Sequence, residues 1–192
     1  MSGGDGAESA PSKEAVLAHL LSADSNRSRD EPEIAKNIGA QLQHMGLGTW
    51  SISILRRLRD ALGRLKPNSI LEVGAGIGHR SAWIYDIFQV DGQHPDSYQI
   101  VEDGAKFAVI IRRLMQRHNA EKYTTIVVGN IDSLVAESNA WIAASSSGIE
   151  VGNPPINPQH DAIIVDGASV NRSRNVESLL KFLSPNGVLF TV

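Results

Sequence analysis

Short apolar runs alternate with helical stretches throughout the chain after Pro67. The runs are rich in β-branched side chains, which favours strands, and they lie at 69–73, 98–102, 124–128, 162–166 and 187–192. Apolar side chains at three- and four-residue spacing predict helices between them, at 79–88, 105–118, 131–144 and 171–183, with surface loops at 90–97 and 145–160. Such alternation is typical of a parallel sheet. We therefore predict an α/β chain with a doubly wound, mainly parallel sheet and helices on both faces.

The residues before Pro67 follow a different pattern and divide into two parts. Residues 1–12 are rich in Gly, Ser and Ala without apolar periodicity, and we expect a disordered tail there. Residues 13–66 have helical periodicity, which predicts helices packed on the core formed by 67–192. We see no internal repeat.

Three helices are expected within 13–66. The first covers 13–22, with Val16, Leu17, Leu20 and Leu21 on one face; the second begins near Pro32; the third covers 49–65. Thr49 or Ser51 is the expected cap of the third helix. Opposite its apolar face lie several charged residues, which we interpret as a solvent-exposed face: Arg56, Arg57, Arg59, Asp60 and Arg64.

Composition excludes several classes of function. The chain has 192 residues, 18 Lys and Arg against 21 Asp and Glu, and a net charge of -3, so we expect no binding to nucleic acid or to a membrane surface. It has no cysteine, which rules out disulfides, zinc–thiolate sites and cysteine nucleophiles. No leader or membrane-spanning segment is visible, and we expect a cytoplasmic chain.

A glycine-rich turn follows the first predicted strand, in the sequence Glu72-Val-Gly-Ala-Gly-Ile-Gly-His79. Gly74, Gly76 and Gly78 permit a tight turn and close approach of a ligand to the backbone and to the N-terminus of the next helix. The dinucleotide fingerprint requires glycine where His79 stands, which weakens NAD as the ligand, and no Gly-Lys-Ser/Thr sequence for phosphate binding follows. The turn therefore predicts a nucleotide-like ligand other than NAD.

The second predicted strand ends in an acid, Glu102. A carboxylate has two oxygens and accepts hydrogen bonds from both hydroxyls of a vicinal diol, as in a ribose. A surface charge at a strand end is the alternative. The glycine turn on the neighbouring strand favours the first interpretation.

An acid followed by Gly-x-Gly-x-Gly resembles the first motif of class I S-adenosylmethionine-dependent methyltransferases. With Met45-Gly-Leu-Gly48 and 71–81 in this order, residues 33–192 look like the catechol O-methyltransferase-like subfamily. The resemblance implies a Rossmann-like fold, S-adenosylmethionine as cofactor and O-methyl transfer to a small-molecule acceptor. It also implies that Glu102 binds the ribose.

The resemblance implies further cofactor contacts, each with a simpler alternative. Met45 and Leu47 would pack beside the cofactor. Glu72 would help to place its methionine end, which His79 and Arg80 would line. Asn130, Ile131 and Asp132 would contact the adenine. Core packing is the alternative for Met45, and a helix start is the alternative for His79. Asp132 would otherwise be an acid favoured by the first turn of a helix.

Asp166 ends the fourth predicted strand, where metal-dependent members of the subfamily have their first magnesium ligand. Their other two ligands, an Asp-Asn pair after strand five, have no counterpart in 187–192, and the lysine expected shortly after strand four is absent. One carboxylate does not make a magnesium site, so we predict no metal. The candidate catalytic residues are therefore Asp166 and His79, and the alternatives for Asp166 are a metal ligand and a turn cap.

Two other functions use the same motifs. A cofactor-binding domain that acts through a partner would keep the glycine turn without a catalytic base, and an oxidoreductase would keep the fold with a different glycine spacing. The usual last two strands of the fold are also missing, which would leave strand five as an apolar edge. We expect a longer parent chain or coverage of this edge by a partner, including a second copy in a homodimer.

Overall fold

The computed structural model describes residues 11–192. Most of the predicted tail, at 1–12, therefore lies outside the described residues. Three helices come first: α1 (Lys13–Leu21), α2 (Glu33–His44) and α3 (Ile52–Leu65). Ser51 rather than Thr49 caps α3, because its side chain accepts a hydrogen bond from the Ile54 N–H at 3.4 Å.

The rest of the described chain alternates between strands and helices. The strands are β1 (Ser69–Val73), β2 (Ser97–Glu102), β3 (Thr124–Val128), β4 (His160–Val165) and β5 (Leu183–Phe190); the helices are α4 (His79–Asp91), α5 (Ala105–Arg117), α6 (Ile131–Ser146) and α7 (Ser169–Leu179), followed by a 3₁₀ turn at Leu180–Phe182. All strand pairs are parallel, in the order β3-β2-β1-β4-β5. The predicted α/β class with a parallel sheet is confirmed.

Helices cover both faces of the sheet. Alternate strand residues point to opposite sides, so Ile70 of β1 packs with α2 to α5, whereas its neighbour Leu71 packs with α6 and the 3₁₀ turn. Each side has its own cluster of buried apolar side chains. This arrangement confirms the doubly wound prediction and leaves the strand ends as the place for a ligand. No helix among residues 11–192 is long and apolar enough to cross a membrane.

The fifth strand begins earlier than predicted. It covers Leu183–Phe190 rather than 187–192, and its pairing with β4 is interrupted by a bulge: His160 pairs with Leu183, but Ala162 pairs with Val188. The extra residues in the bulge are Ser-Pro-Asn-Gly at 184–187. Because these residue types are typical of turns, the sequence did not indicate that the strand begins before them.

The structure corrects part of the face predicted for α3 and shows how little of α1 is buried. Of the four apolar residues on α1, only Leu20 is buried. On α3, Arg59 and Asp60 are buried rather than exposed, because the segment between α1 and α2 covers them. The Arg59 guanidinium donates to Asp60 Oδ1 and to the Ser28 carbonyl, both within 2.9 Å, and Asp60 accepts from the Asp24 N–H. Because Arg59 and Asp60 pair with each other, this charged part of α3 can be buried.

Candidate functional site

The loop after β1 and the end of β4 meet where the strand order reverses. The Asp166 N–H donates to the Val73 carbonyl at 3.0 Å, which joins the two strand ends. Gly74 has a φ of +77°, and a Cβ at this position would lie 2.8 Å from the Asp166 carbonyl oxygen. Glycine is therefore required at position 74 for both backbone conformation and close approach. In parallel sheets this reversal point is the usual ligand site.

The other two glycines of the turn have different surroundings. Gly78 has a φ of +87°, and a Cβ there would lie 2.8 Å from the Leu114 side chain, so its role is packing against α5. Gly76 has a φ of +59°, and a Cβ there would meet nothing within 4 Å. Of the three, only Gly76 faces open space. It is therefore the part of the turn at which a ligand has room.

The Glu102 carboxylate connects Gly76 to the residue that precedes α5. Its Oε2 accepts from the Gly76 N–H at 2.7 Å, and its Oε1 accepts from the Gly104 N–H at 2.9 Å, just before α5. The side chain is largely buried. Each carboxylate oxygen has two lone pairs and keeps capacity for one more donor. The acid predicted to bind a diol thus lies directly beside the open glycine.

Glu72 lies beneath the turn rather than at its surface. It has no exposed surface and accepts hydrogen bonds from the Ser81 hydroxyl at 2.8 Å and from the Tyr98 hydroxyl. Its Oε1 lies 3.2 Å from Arg80 Nε. Burial, together with the Glu72 charge, raises the pKa of Tyr98 well above its ordinary value. This placement argues against direct contact of Glu72 with a ligand and gives it a supporting position.

Arg80 connects this buried acid to Asp166. Its guanidinium binds the Asp166 carboxylate, donates to the Gly74 carbonyl at 2.5 Å, and lies 4.8 Å from the ring centroid of Trp50. Only 3% of Arg80 is exposed. Arg80 thus forms an ion pair with Glu72 and donates hydrogen bonds to Gly74 and Asp166, so it lies beneath the site instead of lining it as predicted.

A divalent metal ion does not fit the site at Asp166. One carboxylate oxygen is bound to the Arg80 guanidinium, which brings a fixed positive charge to the position. Among residues 11–192, no group of three His, Asp or Glu side chains could hold a metal ion. No step of the chemistry is therefore assigned to a metal.

The His79 ring contacts two residues of the N-terminal part of the chain. Its Nδ1 lies 2.8 Å from the Thr49 hydroxyl, and its Nε2 lies 3.1 Å from Glu31 Oε1. One neutral tautomer satisfies both contacts, with Thr49 donating to Nδ1 and Nε2–H donating to Glu31. Because both ring nitrogens are engaged and the ring is buried, this geometry does not favour His79 as a catalytic base.

The remaining predicted cofactor residues lie on loops and helix starts. Met45 and Leu47 are 50% and 40% exposed, so core packing of Met45 is wrong. The Asn130 side chain caps α6 by accepting from the Asp132 N–H at 3.0 Å. Ile131 is half-buried against the α6 side of the sheet, and Asp132 pairs with Arg174 on α7.

Solved structures with a similar fold include methyltransferases. TomG from Streptomyces achromogenes, an O-methyltransferase involved in tomaymycin synthesis and solved with S-adenosylmethionine, is 16% identical, with a TM-score of 0.64 over 90% of this chain and 67% of that one. The O-methyltransferase from Bacillus cereus, solved with S-adenosylhomocysteine, is 18% identical, with a TM-score of 0.62 over 86% and 68%. A Klebsiella pneumoniae protein proposed to be an O-methyltransferase is 16% identical, with a TM-score of 0.58 over 83% and 64%.

The chain has the class I methyltransferase fold. It spans 64–68% of the length of these three proteins. No protein-family model matches the sequence, and no curated protein matches it significantly. Identity this low supports the fold alone, since one fold hosts many activities; the activity is argued below from the site.

In this methyltransferase fold, an open cleft of about 600 Å³ lies beside Asp166. Its walls come from the segment before α3, from the turn after β4 and from α7, and they include Thr49, Trp50, Ile54, Asp166, Arg172 and Val192. Sequence reasoning missed Trp50 and Arg172. The sequence signal for Trp50 was its closeness to Leu47, and the signal for Arg172 was its closeness to Asp166. Only the fold brings these two segments together.

Proposed function

We propose that this chain is an S-adenosylmethionine-dependent methyltransferase that transfers a methyl group to an oxygen of a small molecule. The observation that carries the proposal is the pairing of Gly76, which faces open space, with the Glu102 carboxylate beside it. A carboxylate at this place suits a ribose diol, and the neighbouring turn leaves room for the rest of a nucleoside. The neighbours of this fold solved with S-adenosylmethionine or S-adenosylhomocysteine support this interpretation.

The residues that would hold the cofactor divide by the part that they bind. Glu102 would accept from the ribose hydroxyls, Asn130 to Asp132 would lie at the adenine, and Met45 and Leu47 would cover the cofactor with their exposed apolar side chains. When bound, S-adenosylmethionine supplies a methyl group on a sulfonium sulfur; the acceptor oxygen takes this group as its proton is released, leaving S-adenosylhomocysteine. Holding the acceptor in line is then the chief task of the chain.

The cleft of about 600 Å³ beside Asp166 is the proposed site of the methyl acceptor, and we call it the acceptor cleft. Asp166 is the proposed catalytic residue at its wall. Its carboxylate is held by Arg80, which fixes its position at the cleft wall. The unused lone pairs of that carboxylate would accept the hydrogen bond of an acceptor hydroxyl and orient its oxygen. Because Arg80 holds this carboxylate in place, we propose orientation of the acceptor oxygen as the main contribution of Asp166.

Titration calorimetry with S-adenosylhomocysteine and NAD tests the cofactor assignment. We expect binding of the first and none of the second. Glu102→Gln should weaken binding about 10- to 100-fold, the value of hydrogen bonds to a charged acceptor, while the exposed neighbour substitution Asp103→Asn should leave it unchanged. Equal affinity in Glu102→Gln and the wild type, or preference for NAD, would contradict the assignment.

A second candidate is a cofactor-binding domain that acts through a partner without catalysis. The observation that favours it is that both predicted catalytic side chains are engaged, Asp166 with Arg80 and His79 with Thr49 and Glu31. Methyl transfer from S-adenosylmethionine to a panel of phenols and other hydroxyl compounds separates the two functions. Tight cofactor binding with no methyl product would favour the second candidate.

A cytoplasmic location and association of two copies complete the proposal. Within the described sheet, β5 pairs on one side only, with β4, so its other edge is free for another strand. Light scattering after size-exclusion chromatography tests association. A monomer at every concentration would contradict pairing through this edge.

A further inference from the structure

Arg172 is a cation of the acceptor cleft without an acidic partner. It lies in α7, near the start of the helix, on the wall shared by the 600 Å³ cleft and a smaller one of about 450 Å³. Its Nη2 donates to the Gly167 carbonyl at 3.0 Å, but its Nε is buried without a hydrogen-bond partner. A guanidinium has five N–H donors, and the one hydrogen bond to Gly167 leaves most of them for an acceptor from outside the chain.

The neighbouring acids do not neutralise Arg172. Asp166 shares the larger cleft, but its carboxylate is paired with Arg80. Glu177 shares the smaller cleft and lies more than 4 Å from Arg172, since within residues 11–192 no acidic group pairs with it. Arg172 is therefore the one cation among the residues that line the larger cleft, and no acidic group of residues 11–192 lies within ion-pair distance of it.

The rest of the cleft is a mixture of apolar and hydroxyl groups. Trp50, Ile54 and Val192 supply apolar surface, and Thr49 and Ser51 supply hydroxyls. Such a lining suits a molecule with an apolar body, and the single charge suits one monovalent anionic group. The guanidinium fork matches a carboxylate in shape as well as in charge.

We propose that the methyl acceptor of this chain carries a carboxylate, which Arg172 binds while the body of the acceptor lies against Trp50 and Ile54. The inference rests on the proposed function, because it names the class of acceptor for the same cleft. In this arrangement the ion pair with Arg172 selects the acceptor, and Asp166 orients the oxygen that takes the methyl group.

The test compares two probes of similar shape that differ at one group, 3,4-dihydroxybenzoate with a carboxylate and 3,4-dihydroxybenzamide with a neutral amide, by calorimetry with and without S-adenosylhomocysteine. The wild type should bind the carboxylate at least about tenfold more tightly than the amide, the lower value for a hydrogen-bonded charge pair. Arg172→Gln should remove this difference without changing the affinity for the amide. Arg172→Lys should keep part of it, because it keeps the charge but loses the fork.

The control is Arg113→Gln on α5, which removes an exposed arginine away from the cleft and should leave both affinities unchanged. Thermal melting of each variant checks that it folds. Equal binding of the two probes by the wild type, binding of neither, or full carboxylate affinity in a folded Arg172→Gln would overturn the proposal. Failure of S-adenosylhomocysteine to bind would instead contradict the proposed function, and the probes without it still test Arg172.

Discussion

Replacing Arg80 by Met removes the cation that holds two carboxylates beneath the glycine turn. The side chains of Arg80 and Glu72 are 4% and 0% exposed, and Arg80 also binds Asp166. Loss of one member of a buried pair leaves the other charge without compensation, which costs about 3–5 kcal/mol of the free energy of unfolding. Met keeps most of the apolar volume, so the loss would come chiefly from the charge.

The matched control is Arg174→Met, which breaks a pair with Asp132 whose side chains are 62% and 48% exposed. Water screens this pair, and its loss should cost less than about 1 kcal/mol. The double substitution Arg80→Met with Glu72→Gln removes both buried charges. It should be more stable than the sum of the single effects by about 1–3 kcal/mol, because neither charge is left alone.

Urea unfolding followed by circular dichroism at 222 nm measures these free energies. We expect a large decrease in the free energy of unfolding for Arg80→Met and a small decrease for Arg174→Met. The variant with both Arg80→Met and Glu72→Gln should be more stable than the sum of its two single effects. The reasoning would be refuted by a loss below 1 kcal/mol in Arg80→Met, or by additivity of Arg80→Met and Glu72→Gln. Either result would mean that Glu72 finds compensation elsewhere.

Three further predictions concern substitutions of single residues. Burial lowers the pKa of His160 to about 4 from an ordinary 6.5. Because the folded state favours the neutral ring, the free energy of unfolding decreases as the pH falls from 6.5 to 4, and at pH 5 it is about 2 kcal/mol lower than above pH 7. In urea titrations His160→Asn should lose this part of the pH dependence, and an unchanged profile would contradict the assignment. Gly78→Ala should destabilise more than Gly76→Ala, since both have positive φ but only position 78 contacts Leu114; equal melting temperatures would disprove this. Ser138→Ala should cost about 1–3 kcal/mol in urea unfolding, because it removes the acceptor of the buried Ile156 N–H, and a neutral effect would show that another acceptor replaces it.

Most of the architecture was predictable because its signals are local. The strand runs and helical spacing after Pro67 identified five strands, and the observed bounds differ by a few residues except at β5. The error at β5 came from Pro185, Asn186 and Gly187, which normally mark turns and here form a bulge against β4. A bulge depends on the partner strand, so the residues of one strand do not disclose it.

The candidate site was predictable in its backbone and less so in its side chains. The glycine turn and Glu102 lie together as expected, because parallel strands bring their carboxyl ends to one edge. The surroundings of His79 and Arg80 differ from the expectation. Each is buried by a contact with another segment, such as Thr49 on His79 or Trp50 on Arg80.

The sequence by itself determined the α/β class, the glycine turn after the first strand and the acid at position 102, since these depend on periodicity and on residue types at adjacent positions. Only the tertiary structure decided that Gly76 alone of the three glycines faces open space, that Arg80 binds both Glu72 and Asp166, and that Arg172 has no acidic partner among residues 11–192. The physical reason is distance along the chain. Charges and cavities are settled by groups that packing brings together from far apart, as when the Arg80 guanidinium meets a carboxylate 86 residues away.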